Sequence, residues 1–213
     1  MKKTIKIILY WFLQCTWGII MTLAGAVGAI IMLCKGEKPR RFGYAIYFVH
    51  GHGWGGVNLG GFFFVSHESD KLKTKAHEYG HSFQNAVLGP LFPFVVGAPS
   101  MIRYHLFNRY ESKKREKFSG TLFAIAAATS VVLILMGILV NSIFITVVGS
   151  VIGIYSIIIV AWLFICELPK IDSGKYGYYD VWFEHHASDY GMNVYNKSSN
   201  ILKMNKRENK SLF

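Results

Sequence analysis

Acidic residues are scarce in this chain: 12, against 23 lysines and arginines, leaving a formal net charge of +11 with histidine neutral. Charge of either sign is sparse, at 16% of 213 residues, while 52% are hydrophobic. That balance excludes an ordinary soluble domain, and residues 118–166 carry no formal charge at all. Uncharged runs of this length are the signature of membrane-spanning helices. The positive charges fall in patches beside the apolar runs, and no nucleic-acid-binding signature interleaves with them. A lipid bilayer, not nucleic acid, is therefore the expected partner. Cysteine is also rare. Cys15, Cys34 and Cys166 lie scattered in apolar segments, which excludes a disulfide framework or a thiolate zinc site and leaves them as small buried hydrophobes.

What is present divides into four parts. Residues 1–34 read as an N-terminal transmembrane helix whose apolar stretch, residues 7–34, is long enough to cross a bilayer. Lys2, Lys3 and Lys6 before it resemble the start of a signal peptide, but the run is too long and lacks a clear cleavage site, so the helix is expected to be retained. Gln14 is its only strongly polar interior residue. Gly18, Gly25, Gly28 and Ala29 give it a small-residue face for a neighbouring helix. Residues 35–117 change texture. Aromatic and β-branched runs at 44–50 and 61–66, separated by glycine-dense sequence, predict a β-hairpin or small meander. Gly51, Gly53 and Gly56 spell GxGxxG, but strand sequence follows where a nucleotide site needs a helix. Pro90, Pro93 and Pro99 break the apolar residues 88–102, which predicts a re-entrant or interfacial segment, with spanning by residues 88–107 left open. Residues 109–117 read as a basic solvated loop. Residues 118–166 predict a transmembrane helical hairpin turning near Asn141-Ser142, with Gly149 and Gly153 as packing residues. Residues 167–213 form a C-terminal segment that begins amphipathic and ends, from Lys197, in a loose basic tail. The expected fold is α+β: about three transmembrane helices, a β-hairpin and one functional helix at the membrane surface.

That helix is predicted over residues 72–88, with Asp70 or Ser69 as cap and Gly89-Pro90 as stop. It carries His77-Glu78-Tyr79-Gly80-His81. Histidines four apart project from one helical face, about 40° apart around the axis and about 6 Å along it, and can grip one ion with two imidazoles. Glu78 then lies where a general base for a metal-bound water is needed. The alternative is a solvated helix with two incidental histidines. Against it, Leu72, Ala76, Tyr79, Phe83 and Ala86 form an apolar stripe separate from His77, His81, Gln84 and Leu88, so the histidines are aimed into a site. Gly80 inside the helix implies close packing there.

Zinc needs a third protein ligand and keeps one position for water. Gln84 and Val87 stand where HExxHxxGxxH requires glycine and histidine, so the third ligand must be distant. Glu184, His185, His186 and Asp189 form the densest group of candidates. Glu184 is the expected ligand and His185 the alternative, with Asp189 as a carboxylate orienting a zinc-bound histidine. His50, His52, His67 and His105 read as hairpin and loop residues.

His77-Glu78-Tyr79-Gly80-His81 resembles the HExxH of zincin metallopeptidases, and a later helix bearing Glu184 resembles the gluzincin plan of two histidines and a glutamate. The usual Glu-x-x-x-Asp is here one residue longer, between Glu184 and Asp189. Gly53-Trp54-Gly55-Gly56, Gln84, Leu88-Gly89-Pro90-Leu91, Gly97-Ala98-Pro99-Ser100 and Trp182-Phe183-Glu184 also resemble a family of small bacterial membrane proteins, which implies a fold plan and no particular substrate. The Asp-Gly motif of site-2-type intramembrane proteases is not recognisable.

These readings lead to an integral protein of the bacterial plasma membrane. Lysine and arginine crowd the segments that would share a face with the site, so it is expected to face the cytoplasm. The expected activity is that of a zinc-dependent hydrolase, a peptidase acting on a peptide or membrane protein. His77, His81 and Glu184 would hold Zn2+, Glu78 would act as base, and Tyr176, Tyr178, Tyr179 or His105 would serve the oxyanion. The alternative is a non-catalytic immunity or assembly factor with a structural zinc.

Overall fold

A computed structural model describes the backbone of residues 2–109 and 112–210 and the side chains of residues 4–107 and 117–196. The chain is mostly helical with one small sheet, and so α+β. Its helices are α1 (Lys2–Cys15), α2 (Ile19–Cys34), α3 (Leu72–Leu88), α4 (Ala98–Arg109), α5 (Ser112–Leu139), α6 (Ile143–Ala161), α7 (Leu168–Asp172) and α8 (Trp182–Lys210). The strands are β1 (Arg40–Phe42), β2 (Ala45–Val49), β3 (Gly56–Leu59) and β4 (Phe62–Val65). Two compact units result: residues 1–98 with 179–213, and residues 99–178.

In the first unit the strands form one sheet in the order β1-β2-β4-β3. β1–β2 and β3–β4 are antiparallel hairpins, and the parallel pairing of β2 with β4 joins them. The two runs expected to pair as a hairpin or meander, 44–50 and 61–66, are β2 and β4, which pair in parallel instead; each makes its hairpin with a short neighbour, β1 or β3. Alternate residues serve opposite layers. Phe48 and Phe64 pack with Ala29 of α2, while Tyr47, Val49, Phe63 and Val65 pack with Ala76 and Tyr79 of α3. Helices on both faces explain why the strands read as continuous apolar runs without polar alternation. Gly51 and Gly53 have positive φ and lie in the loop before β3, so no helix opens at the GxGxxG.

The apolar run 7–34 is not one helix. α1 and α2 meet at 97°. The cause is a polar knot. Gln14 donates to the Ser82 carbonyl at 2.7 Å and accepts from Thr22 and Asn85, and Asn85 also donates to the Gly18 carbonyl. The small-residue face serves another helix only in part: Gly18 packs on Asn85 of α3, whereas Gly25 lies on Leu59 and Phe62, and Gly28 on Phe64, all of the sheet. α3 has the predicted bounds, ending at Gly89 with φ 54°, but neither Asp70 nor Ser69 caps it; Asp70 instead pairs with Arg40 and Lys75. At the prolines the chain bends by 116° between Leu91 and Pro93. The tail after Lys197 continues the backbone of α8 to Lys210, its side chains lying outside the described residues.

In the second unit, Lys117–Leu139 and Ile143–Asp172 are each long and apolar enough to cross a membrane. The turn falls at Asn141, with φ 49°, and the Ser142 hydroxyl caps α6 by accepting from Ile145 N. Gly149 packs on Leu133 and Ile134, and Gly153 on Ser130, as helix-packing glycines do. The second long helix continues past Cys166 to Asp172, so the boundary expected at 166/167 falls inside it. Glu167 is accommodated there by a buried ion pair with Arg103, which also donates to the Gly177 and Tyr178 carbonyls. The basic loop expected at 109–117 is helical from Ser112, with Tyr110 and Glu111 outside the described residues. The three cysteines are exposed, not buried.

Candidate metal centre

The site is built where α3 crosses α8. Gly80 lies directly against the Ala187 carbonyl, and Gly191 against the Ala76 carbonyl and Gly80 N, so that a methyl group at either glycine would overlap backbone. This close approach is what Gly80 announced in the sequence. It carries Glu184 across to the histidines. His77 Nε2 lies 3.0 Å from Glu184 Oε2, His81 Nε2 lies 3.3 Å from the same oxygen, and the two Nε2 atoms are 3.2 Å apart. All three residues are buried, Glu184 completely. This group could hold a metal ion.

The far ring nitrogens are held as well. Gln84 Nε2 donates to the Phe183 carbonyl at 2.7 Å, which turns its Oε1 toward His81 Nδ1, also at 2.7 Å. That oxygen only accepts, so Nδ1 carries the proton and Nε2 is the atom free to bind a proton or a metal. His77 Nδ1 meets the Ser188 hydroxyl at 2.8 Å. Without a metal, burial pulls His77 below the usual imidazole range, against the Glu184 carboxylate. Burial pulls on His81 too, but Glu184, Glu78 and Gln84 together outweigh it and raise its pKa. Burial would raise Glu184, yet its two histidine partners hold it well below the usual carboxylate range. In the metal-free cluster the Glu184 carboxylate thus favours a proton on His81, while burial disfavours one on His77.

Glu78 is buried beside this group. Burial lifts it to about 7, with His81 opposing and Glu184 adding to the rise. Gly56 of β3 packs on its carboxylate, and Asn58 of the same strand donates to the Glu78 carbonyl at 3.0 Å. Tyr179 stands edge-on to the His77 ring, centroids 5.1 Å apart, with the Lys73 ammonium over its own ring at 5.3 Å.

Asp189 and His185 do not join the cluster. They pair with each other at 3.1 Å on the outer face of α8, 63% and 68% exposed. Helix geometry is the reason: from Glu184, the fourth residue on is rotated by only about 40°, the fifth by about 140°. Ser188, not Asp189, therefore shares the face of Glu184, and neither Ser188 nor the orienting role of Gln84 was expected. The spacings Glu184–Ser188 (i, i+4) and His81–Gln84 (i, i+3) were available in the sequence. His186 stacks on Tyr190. His50 and His52 pair with Glu37 and Glu68, and His67 stacks on His52. His105 lies in α4, not in a loop. Of the oxyanion candidates, Tyr179 packs on the cluster, whereas the Tyr178 hydroxyl bonds Ser100 and Tyr176 lies under Lys170.

Compared with protein-family models, with curated proteins and with solved structures, the chain matches none.

Proposed function

We propose that this chain is a membrane-anchored zinc hydrolase, a peptidase, with His77, His81 and Glu184 as zinc ligands and Glu78 as general base. The observation that carries the reading is the convergence of two Nε2 atoms and one carboxylate oxygen at 3.0–3.3 Å from one another. For zinc–ligand bonds of about 2.0–2.1 Å, the edge of a coordination tetrahedron is about 3.3–3.4 Å. The three atoms therefore match one face of such a tetrahedron, with the ring nitrogens behind them oriented for ligation. Bound zinc would supply Lewis acidity and bring the ionisation of water toward neutral pH.

The remaining work falls to the chain itself. Glu78 accepts a proton and returns it to the leaving amine, a task suited to a buried carboxylate poised near neutrality. Tyr179 donates from its hydroxyl toward the developing oxyanion. β3 is an edge strand, and an extended peptide laid along it passes Gly56 and hence the Glu78 carboxylate. Convergence of residues 77, 81 and 184 also requires an even number of membrane crossings between them, and two crossings by the long apolar helices 117–139 and 143–172 would meet it. The positive charge around those segments argues for the cytoplasmic face.

The burial of all four polar residues favours a second reading, a structural zinc in a non-catalytic assembly or immunity factor. Zinc analysis of purified protein separates the two when run with Glu78→Gln. A hydrolase keeps about one zinc per chain in this variant and loses turnover of a fluorogenic peptide by about 10²–10⁴-fold. Any phenotype left intact by Glu78→Gln would instead belong to the structural site. If the wild-type protein bound no zinc, both readings would fall.

A further inference from the structure

We infer that α1 and α2 do not cross the membrane but lie in the interface of a single leaflet, as a two-helix paddle with the sheet on one face and lipid on the other.

The bend is built, not incidental. Five groups from α1, α2 and the break meet α3 or the sheet: Gln14 and Gly18 through Ser82 and Asn85, Trp17 through its indole N–H to the Val87 carbonyl at 3.0 Å, and Thr22 as acceptor from Gly61 N. Trp11 completes the set by donating to the Tyr44 carbonyl. Straightening α1 onto α2 would break these bonds, and those of Gln14, Gly18 and Thr22 lie in buried surroundings where the groups left behind would be unsatisfied.

Neither helix is long enough to span alone. At 1.5 Å per residue, 14 and 16 residues reach about 21 and 24 Å, against a hydrocarbon core of about 30 Å. Tilting the pair does not help, because α2 is a layer of the sheet. Gly25 and Gly28 touch Leu59 and Phe64, so wherever α2 goes the strands follow. β1 and β3 are edges, whose unpaired backbone groups hydrocarbon does not tolerate. Strands of three to five residues are at most about 17 Å long. Arg40–Asp70, His50–Glu37 and His52–Glu68 fringe this sheet, and Lys35 reaches His50 from the end of α2. A spanning α2 would carry these ionic groups into the bilayer.

The opposite faces of both helices nevertheless demand an apolar partner. Ile8, Leu9, Phe12, Leu23, Val27 and Ile30 are each more than half exposed. A lipid leaflet fits them. The same chain carries two helices able to cross a bilayer, and exposed Lys6 and Lys35 flank the apolar faces, where they can reach anionic headgroups.

The test places a nitroxide singly at Leu9, Phe12, Leu23, Val27 and Ile30, each replaced by cysteine in the full chain with Cys15, Cys34 and Cys166 changed to serine. The protein is reconstituted in phosphatidylcholine–phosphatidylglycerol liposomes, and depth is read from relaxation by oxygen against a nickel chelate. All five labels should sit in one band, about 5–10 Å below the phosphates. Depths that pass through the bilayer centre, changing by up to about 1.5 Å per residue, would overturn the inference. So would labels open to nickel, or shielded from both reagents as in a protein contact. In sealed vesicles, Thr4→Cys and Lys38→Cys should react with an impermeant maleimide to equal extents; reaction from opposite sides would establish a crossing. Neither measurement depends on zinc or activity, so the inference stands or falls apart from the hydrolase reading.

Discussion

Two helix pairs in this protein approach closely through glycine, and among the described residues one of them gathers a group that could hold a metal ion. In α5–α6, Gly137, Gly149 and Gly153 admit Thr146, Ile134 and Ser130, and the Ser130 hydroxyl donates to the Gly149 carbonyl at 2.7 Å. The outward residues, among them Leu135, Ile138 and Val151, are apolar and exposed. In α3–α8, Gly80 and Gly191 allow the same approach, but the flanking positions hold His77, His81, Glu184 and Ser188. Close approach supplies contact in both. The group that could hold a metal arises where the neighbours of the glycines are ionisable and are oriented from behind.

The comparison is broken most directly by removing what distinguishes α3–α8. Glu184→Ala should weaken zinc binding by about a thousandfold or more, since one of three protein ligands is gone; competition with a chromogenic chelator measures it. Unchanged affinity would mean that α3–α8 is only another packed pair.

Close approach itself is tested next. In Gly191→Ala the new methyl meets the Ala76 carbonyl, so α8 must shift, with zinc affinity falling about a hundredfold and stability by about 1–3 kcal/mol. Gly149→Ala should lower the thermal midpoint and leave zinc affinity alone. If both variants behaved alike toward zinc, the two glycine contacts would not differ in kind.

Acid should act on one pair only. His81 holds a proton above the usual imidazole range while Glu184 stays ionised. Zinc must displace that proton, so apparent affinity should fall about tenfold per pH unit below the His81 pKa and level off above it. A pH-independent affinity would place the bound metal elsewhere.

The smallest effects separate the two faces of α8. Ser188→Ala should lower zinc affinity about tenfold through loss of its bond to His77. Asp189→Ala, on the exposed face, should change it by less than about twofold. The reverse order would restore the carboxylate to the orienting role that the sequence suggested.

How far the fold can be read from sequence follows the range of the interactions. α3 is legible because its stop, Gly89, is local, and the α5–α6 turn because Asn141-Ser142 interrupts an otherwise uncharged run. The α1–α2 bend is not, because no proline or charge marks it and the partners of Gln14 lie 68 and 71 residues away. The strands are visible as aromatic runs, but their pairing is not: the parallel contact of β2 with β4 is non-local and leaves no mark, so the strand–glycine–strand pattern suggests a hairpin that does not form. In the site, the HExxH pattern and Glu184 are legible by ligand chemistry. Asp189 misleads because carboxylate identity draws attention while a single residue of helical phase sends it to the opposite face.

The order in which the site's parts are synthesised also matters. Ser188 follows His77 by 111 residues, and Glu184 only slightly less. At roughly 5–20 residues per second, the histidine helix leaves the ribosome on the order of ten seconds before its carboxylate partner. Both long apolar helices are made in that interval. Until α8 arrives, α3 offers two imidazoles and no third ligand, a weak grip on any passing ion. The group that could hold a metal is therefore complete only once α8 has been made, and on the proposed reading metal loading would be the closing event of biosynthesis.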